Sequence, residues 1–363
     1  MRDELPFYLG FSHFLGIGPV RFSILLNHFK TATKAYTASF TGLSGVIGKN
    51  WAEKFVRFRS RFDPFKKLEE VEKKGIKVIP IHNPSYPQIL QEISDPPICL
   101  YIKGDSGNFD FSKDLCFAIV GTRTPTVYGQ QVTVKFTEEL VEAGFVIISG
   151  MAIGIDSVAH QTALNNKGRT IAFLGCGVDI IYPAINASLY HKIIQRGGLI
   201  ISEFPPGETV VKGLFIARNR LISGISQGVL IAEGSKDSGA LITARYAAEQ
   251  GKEVFAPPGP LNSKMSEAPN ILLKQGAKLV TSVTDILDEF NLRIAPKKKE
   301  EIENQLNKEE KMTFVAMKKE AKSADEIAAE VKMPIDKVLN NLSLLEIKGV
   351  IEKNSEGKYQ IKL

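Results

Sequence analysis

Four times between Leu115 and Pro257 an apolar stretch of strand length runs straight into a small polar loop. Leu115–Val120 opens onto Gly121-Thr122-Arg123-Thr124-Pro125-Thr126, and Phe145–Ile148 onto Ser149-Gly150-Met151-Ala152-Ile153-Gly154-Ile155-Asp156. Thr170–Leu174 opens onto Gly175-Cys176-Gly177, and Gly228–Ala232 onto Glu233-Gly234-Ser235-Lys236-Asp237-Ser238-Gly239. The pattern predicts strands at 115–120, 145–149, 170–174, 198–202, 228–232, 252–256 and 277–280. Helices fit 128–143, 156–166, 187–196, 217–225, 239–250 and 283–290. Strands alternating with helices describe an α/β fold with a doubly wound parallel sheet. Loops at the carboxyl ends of its strands share one edge, where helix N-termini present free N–H groups to anions.

The flanks read differently. Residues 1–65 form short helices, and Phe11–Arg21 has the pattern of a helix–hairpin–helix: an apolar helix end, Gly16-Ile17-Gly18, then a helix begun by Pro19. Such a turn can aim N–H groups at a phosphate or be purely structural. Along Trp51–Phe62, Lys54, Arg57, Arg59 and Arg61 interleave with Phe55, Phe58 and Phe62. That mixture suits a nucleic-acid strand, whereas aromatics at helical spacing also describe plain core. Residues 66–113 carry a charged helix and two strands, Ile76–Pro80 and Ile98–Lys103, expected to extend the sheet. Beyond Leu292 the charged, Gly-free run to Glu310 is a linker, in part helical. Residues 311–363 then give helices and a hairpin in winged-helix order, with a capping box at Ser323-Ala324-Asp325-Glu326. The helix in the recognition position, Ile335–Ile347, holds Lys337 against Asp336 and Glu346, a thin supply of charge for reading a groove.

Composition narrows the function. With 363 residues, 44% hydrophobic and 24% charged, the chain fills two or three ordinary globular domains. No apolar run has membrane-span length and no signal-peptide pattern opens the sequence, so a cytoplasmic protein is expected. Cys99, Cys116 and Cys176 lie far apart without metal spacing, which fits buried thiols in a reducing compartment. The net charge of +6 is uneven: residues 1–76 hold 13 Lys/Arg against 7 Asp/Glu, while residues 115–290 hold 15 of each. Nucleic-acid binding on the sheet therefore has to rest on clustered cations and backbone N–H groups.

The densest such cluster is Lys212-Gly213-Leu214-Phe215-Ile216-Ala217-Arg218-Asn219-Arg220. Arginine offers a planar fork to phosphate and lysine a mobile point charge. Arg218 and Arg220 diverge on a helix, so one is expected to grip a ligand and the other an internal or subunit contact. Gly121 and Arg123 on the first loop, and Gly150 on the second, allow an anion close to the backbone. Ser238, ahead of Gly239, is the expected N-cap of the next helix. Asp156 and His160, one turn apart, read as a structural cap and a satisfied histidine. Gly-x-Gly-x-x-Gly and the P-loop pattern are both missing, and no metal or nucleophile constellation is visible, so no cofactor or metal is expected.

In order, Gly121-Thr122-Arg123, Ser149-Gly150-Met151-Ala152, Gly154-Ile155-Asp156 with Ala159-His160, Tyr182-Pro183, Ser202-Glu203, Arg218-Asn219-Arg220, Ser238-Gly239 with Thr243-Ala244-Arg245, and Pro258-Gly259 closely resemble the DNA-processing protein A family, also called Smf. The resemblance implies an extended Rossmann-like sheet (66–292) between an N-terminal helix-hairpin-helix, SAM-like domain (1–65) and a C-terminal winged helix (311–363), with 293–310 as linker. It implies a non-enzymatic single-stranded DNA-binding protein that protects incoming strands during natural transformation and helps load the RecA recombinase. Its members act as homodimers, and single-strand binding protein is a further candidate partner. Carried over by motif, the DNA-binding residues are Gly121, Arg123, Gly150, Lys212, Arg218, Asn219, Arg220, Ser238 and Gly239. Three departures bear on affinity: Ile153 stands where the family has Arg, Ile216 where it has Pro, and Glu267-Ala268-Pro269-Asn270 where it has a Gly-containing turn. Two other classes compete. A nucleotide-hydrolysing relative of the same superfamily would use Glu233 at a strand end, and a transcription regulator would act through the winged helix.

Overall fold

A computed structural model describes residues 4–292, 306–317, 321–347, 350–354 and 357–361. Two compact units emerge, Met1–Asn291 and Leu292–Leu363. The first opens with six helices: α1 (Leu5–Ser12), α2 (Pro19–Phe29), α3 (Ala32–Thr37), α4 (Phe40–Ile47), α5 (Lys49–Arg59) and α6 (Pro64–Lys73). There follow β1 (Lys77–Pro80), α7 (Gln88–Gln91), β2 (Cys99–Lys103), β3 (Cys116–Val120), α8 (Val127–Glu142), β4 (Val146–Ser149), α9 (Ile155–Asn165) and β5 (Thr170–Phe173). Then come α10 (Ala187–Gln195), β6 (Leu199–Ser202), α11 (Lys212–Gly224), β7 (Gly228–Ile231), α12 (Ala240–Glu249), β8 (Glu253–Ala256), α13 (Glu267–Lys274), β9 (Lys278–Leu279) and α14 (Val283–Glu289).

The nine strands form one sheet in the order β1-β2-β6-β5-β4-β3-β7-β8-β9. From β6 through β9 every pairing is parallel. Helical crossovers cover both faces, so every residue of β3 to β7 is buried and each strand reads as a continuous apolar run. As expected, β1 and β2 extend the sheet: β2 pairs antiparallel with β6, and β1 antiparallel with β2. The order reverses between β3 and β7, which opens a crevice beyond their carboxyl ends.

Two cores flank the sheet. One joins Phe11, Tyr36 and Phe55 of the helices to Tyr101 and Ile200, so the N-terminal helices share a core with the sheet. Ser12 and Tyr101 bind there hydroxyl to hydroxyl at 2.5 Å. The other core gathers Leu100, Ile148, Ile201, Leu221 and Ala244. Cys99, Cys116 and Cys176 are all buried and free. No helix among the described residues is long and apolar enough to cross a membrane.

Three local readings change. The helix expected at 217–225 begins five residues earlier, at Lys212, with Gly213 in its first turn, where N–H groups lack intrahelical partners anyway. The same reason lets Pro269 sit in the first turn of α13, a helix the pattern did not predict. Gly239, not Ser238, is the N-cap of α12, although Ser238 Oγ does accept the Ala240 N–H at 3.2 Å.

The second unit contains α15 (Lys308–Ala316), α16 (Ala324–Val331), α17 (Ile335–Ile347), β10 (Ile351–Lys353) and β11 (Tyr359–Ile361). Phe314, Ile327, Val338, Leu342 and Ile351 form its core. The Ser323–Glu326 capping box is present, and a second one, Asn307 with Glu310, starts α15 within the stretch expected to be linker. The rest of that stretch, 293–305, lies outside the described residues.

Candidate nucleic-acid interface

At the crevice beside β3 and β7 the loops enclose a cleft of about 340 Å³. Gly121 and Arg123 line it from the first loop, Arg218 and Asn219 from α11, and Ser238 and Gly239 from the start of α12. A smaller recess of about 60 Å³ adjoins it, and Arg123 lines both. Gly150, Ile153, Tyr182 and Phe215 complete the recess. A larger cavity of about 600 Å³ runs along α12 beside α13, lined by Leu241, Ile271 and Leu272 with Arg245 and Lys252.

Backbone contacts hold the loops in register. Thr122 N–H donates to the Glu233 carbonyl at 2.8 Å, and Ile155 N–H to the Thr122 carbonyl at 3.1 Å. Gly154 adopts φ +85°, and a Cβ there would lie 2.4 Å from the Thr122 oxygen, so this contact needs glycine on both counts.

Arg218 forms the buried wall, with 4% of its surface exposed. Its Nη1 donates to the Gly150 carbonyl at 2.7 Å and to the Phe173 carbonyl, and its Nε to Asn219 Oδ1 at 3.2 Å. A Cβ on Gly150 would sit 2.7 Å from the guanidinium and from Asp156, so glycine makes room for the charge. Asp156 accepts the Gly150 and Ala152 N–H groups at 3.1 and 3.3 Å. It therefore caps the loop before α9. Burial pulls Arg218 down to about 10 against the attraction of Asp156 and with the repulsion of Arg123, so it stays cationic at neutral pH. Arg123 is exposed, and no carboxylate pairs with it among the described residues. Lys212 is exposed on the first residue of α11 and lines neither cavity, but its spacing puts it on one helical side with Phe215 and Asn219.

Arg220 turns the other way. Its Nε donates to Asp95 Oδ2 at 2.7 Å, and Nη1 and Nη2 to Glu203 Oε1 and Oε2 at 2.6 and 2.8 Å. Burial works against this charge, but Glu203 and Asp95 outweigh it and raise its pKa. Among the sequence candidates, then, Gly121, Arg123, Arg218, Asn219, Ser238 and Gly239 meet in the cleft. Gly150 joins through the recess, Lys212 stands outside it, and Arg220 is committed to carboxylates.

The structure also places Glu233 and His160, the titratable groups weighed for acid–base roles. Glu233 is buried, accepting the Thr126 N–H at 2.9 Å and its hydroxyl at 2.5 Å, which clips the fourth loop to the start of α8. His160 is only half satisfied: Nδ1 meets Thr170 Oγ1 at 2.7 Å, but Nε2 is buried without a partner among the described residues, and burial depresses its pKa to about 3. Neither residue lines the cleft or its recess. Sequence reasoning assigned no role to the ring pair Tyr182–Phe215, whose centroids lie 5.3 Å apart beside Arg123. Tyr182 is 40% exposed, as is Ile153 on the same rim.

Comparison with known proteins gives a consistent answer. The family profile described as DNA recombination-mediator protein A matches residues 77–291. Protein Smf of Synechocystis sp. is 38% identical over 289 residues, covering 79% of this chain and 72% of that one. DNA processing protein DprA of Bacillus subtilis is 43% identical over 223 residues, covering 61% of this chain and 74% of its own. Among solved structures, DprA of Streptococcus pneumoniae superposes with a TM-score of 0.68 at 34% identity, over 78% of this chain and 95% of that one. DNA processing protein A of Helicobacter pylori, described in its single-stranded DNA binding mode, gives a TM-score of 0.53 at 34% identity, over 59% of this chain and 95% of its own.

Proposed function

This chain belongs to the DNA recombination-mediator protein A family, and on that premise we propose that it binds single-stranded DNA in the cleft at the β3–β7 crevice without catalysing a reaction. The observation that carries the reading is the convergence on one open cleft of the unpaired Arg123, the buried Arg218, Asn219 and the N-terminus of α12. Such a site suits phosphates, because Arg123, Arg218 and the positive end of α12 face them, while the carboxylate that lines the cleft, Asp156, is taken up by the Gly150 and Ala152 N–H groups. In this reading Arg123 and Lys212 hold phosphates, and Asn219 with the N–H groups near Gly121 and Gly239 completes the contact. Gly150 and Arg218 form the floor, while Arg220 anchors α11 from behind. Tyr182 and Phe215 offer a base a stacking face. The occupied carboxylate of Glu233 supports a binding protein over a nucleotide hydrolase.

Family membership supports the wider role. The protein protects incoming strands and delivers them to the RecA recombinase in the cytoplasm, acting as a homodimer on DNA that single-strand binding protein also coats. The sheet is the extended Rossmann-like domain (66–292), residues 1–65 the helix-hairpin-helix domain, and the C-terminal unit a winged helix that begins with α15 at Lys308, inside the stretch 293–310 expected as linker.

The test replaces Arg123 and Lys212 together by Ala. We expect loss of the gel shift of a dT oligonucleotide with an unchanged melting temperature; undiminished binding overturns the assignment. RecA filament formation on strands coated with single-strand binding protein should accelerate when the protein is added. No acceleration would remove the loading role.

A further inference from the structure

A second basic face lies outside the cleft, on α5 and the turn after it. Residues 49–61 hold five cations and one carboxylate. Arg59 is used internally, donating to the Tyr36 and Ala38 carbonyls. The other cations, Lys49, Lys54, Arg57 and Arg61, are exposed. Lys54, Arg57 and Arg61 rim a shallow groove of about 490 Å³ whose floor includes Phe58 and Phe62. Those two rings are half-buried and stacked, with centroids 4.7 Å apart. Glu53 also lines the groove and pairs with Arg57 at 3.1 Å, both side chains well exposed, so solvent screens that pair. Beside the groove stands Trp51, with the Arg21 guanidinium 4.5 Å and the Lys54 ammonium 4.9 Å from its ring.

We propose that this groove is a second contact for a single strand of nucleic acid, separate from the cleft. A core needs Phe55, Phe58 and Phe62 at this spacing but has no use for cations on the alternate positions. Cations at near-helical-turn spacing track a phosphate backbone, and half-open ring surfaces take bases of any sequence. Rings and cations side by side select a nucleic-acid strand over an acidic peptide, which would need the cations alone. The strand held in the cleft extends onto this face once it is long enough.

Trp51 is the single tryptophan of the chain, so its emission reports on this face alone. The full chain is titrated with a short dT oligonucleotide and with one several times longer. Saturable quenching of Trp51 by the long strand is expected, and when Arg123 and Lys212 are both Ala it should persist only at higher strand concentration, beyond that of the gel shift, because the groove alone holds a strand more weakly than cleft and groove together. Arg61→Glu, which leaves Lys54 over Trp51, should weaken long-strand binding roughly tenfold in that cleft variant and lower the salt slope by about 0.7. Its short-strand gel shift with the cleft intact should not change. Circular dichroism and the melting temperature show whether the variant is folded, and Arg61→Ala gives the milder second variant. An emission unmoved by the long strand, or quenching identical in Arg61→Glu, overturns the proposal and leaves the face to an acidic protein. Failure of the cleft reading is distinguishable: it shows as an intact gel shift in the cleft variant, whatever Trp51 does.

Discussion

Helices α11 and α17 each have 13 residues and each stood out in the sequence as a possible contact with nucleic acid, yet their charges are deployed in opposite ways. On α11, Lys212 is exposed and Arg218 lies against the cleft beside the unpaired Arg123. The single cation of α17, Lys337, is held by Glu309 of α15 at 3.2 Å. Beside it α17 exposes the acidic Asp336 and Glu346 and the apolar Ile335, Leu339 and Leu344. The count of cations on a helix therefore says little about phosphate binding. Whether a buried carboxylate already satisfies them says much more, because breaking a buried pair is costly, whereas an exposed pair such as Lys337–Glu309 is screened by solvent. Arg220 teaches the same on α11 itself, two residues from Arg218 and fully committed to Glu203 and Asp95.

Breaking that commitment should give the largest effect. Arg220→Ala leaves Glu203 buried without its partner and should lower unfolding stability by about 3–5 kcal/mol, read from a denaturant titration. A loss below about 1 kcal/mol would mean that Arg220 is not the anchor of α11. Next comes Phe215→Ala, which should weaken dT binding by about 1–3 kcal/mol while leaving its salt slope unchanged, since stacking carries no counterion term. A reduced slope would place Phe215 in the charge chemistry instead.

Acid should separate stability from binding. Burial depresses His160 to about 3 and His13 to about 4, from the ordinary 6.5. Both are neutral in the folded chain, so below pH 6.5 the unfolded chain takes up protons first and stability falls as pH drops toward 4. The melting temperature should be flat above pH 6.5 and decline below it; a flat profile down to pH 4 would contradict the burial of both rings. Smallest of all, Lys337→Ala should change dT affinity less than about twofold. A larger loss would make α17 a strand contact after all.

Much of this was legible along the chain. Strands β3 to β8 fall within a residue or so of their expected bounds, because strands buried on both faces are unbroken apolar runs bounded by turns. Gly121, Arg123, Arg218, Asn219, Ser238 and Gly239 could be nominated together because each sits in or beside a loop at one sheet edge, or just inside the helix facing it. Helical spacing also required Arg218 and Arg220 to diverge. Which of the two turned toward the cleft was not legible, since it depends on Asp95 and Glu203, far away in sequence. The capture of Glu233 by Thr126 and the meeting of Tyr182 with Phe215 are tertiary contacts of the same kind. Helix α13 was hidden by Pro269, which breaks a helical pattern everywhere except in the first turn.

The central claim is that strand phosphates sit against Arg123 and Lys212. Its most direct test is the slope of log K against log salt for a short dT oligonucleotide, measured for the unaltered chain and for Arg123→Ala and Lys212→Ala singly. Each substitution should lower the slope by about 0.7, the release from one single-strand phosphate. Slopes identical to that of the unaltered chain in both variants would contradict the account.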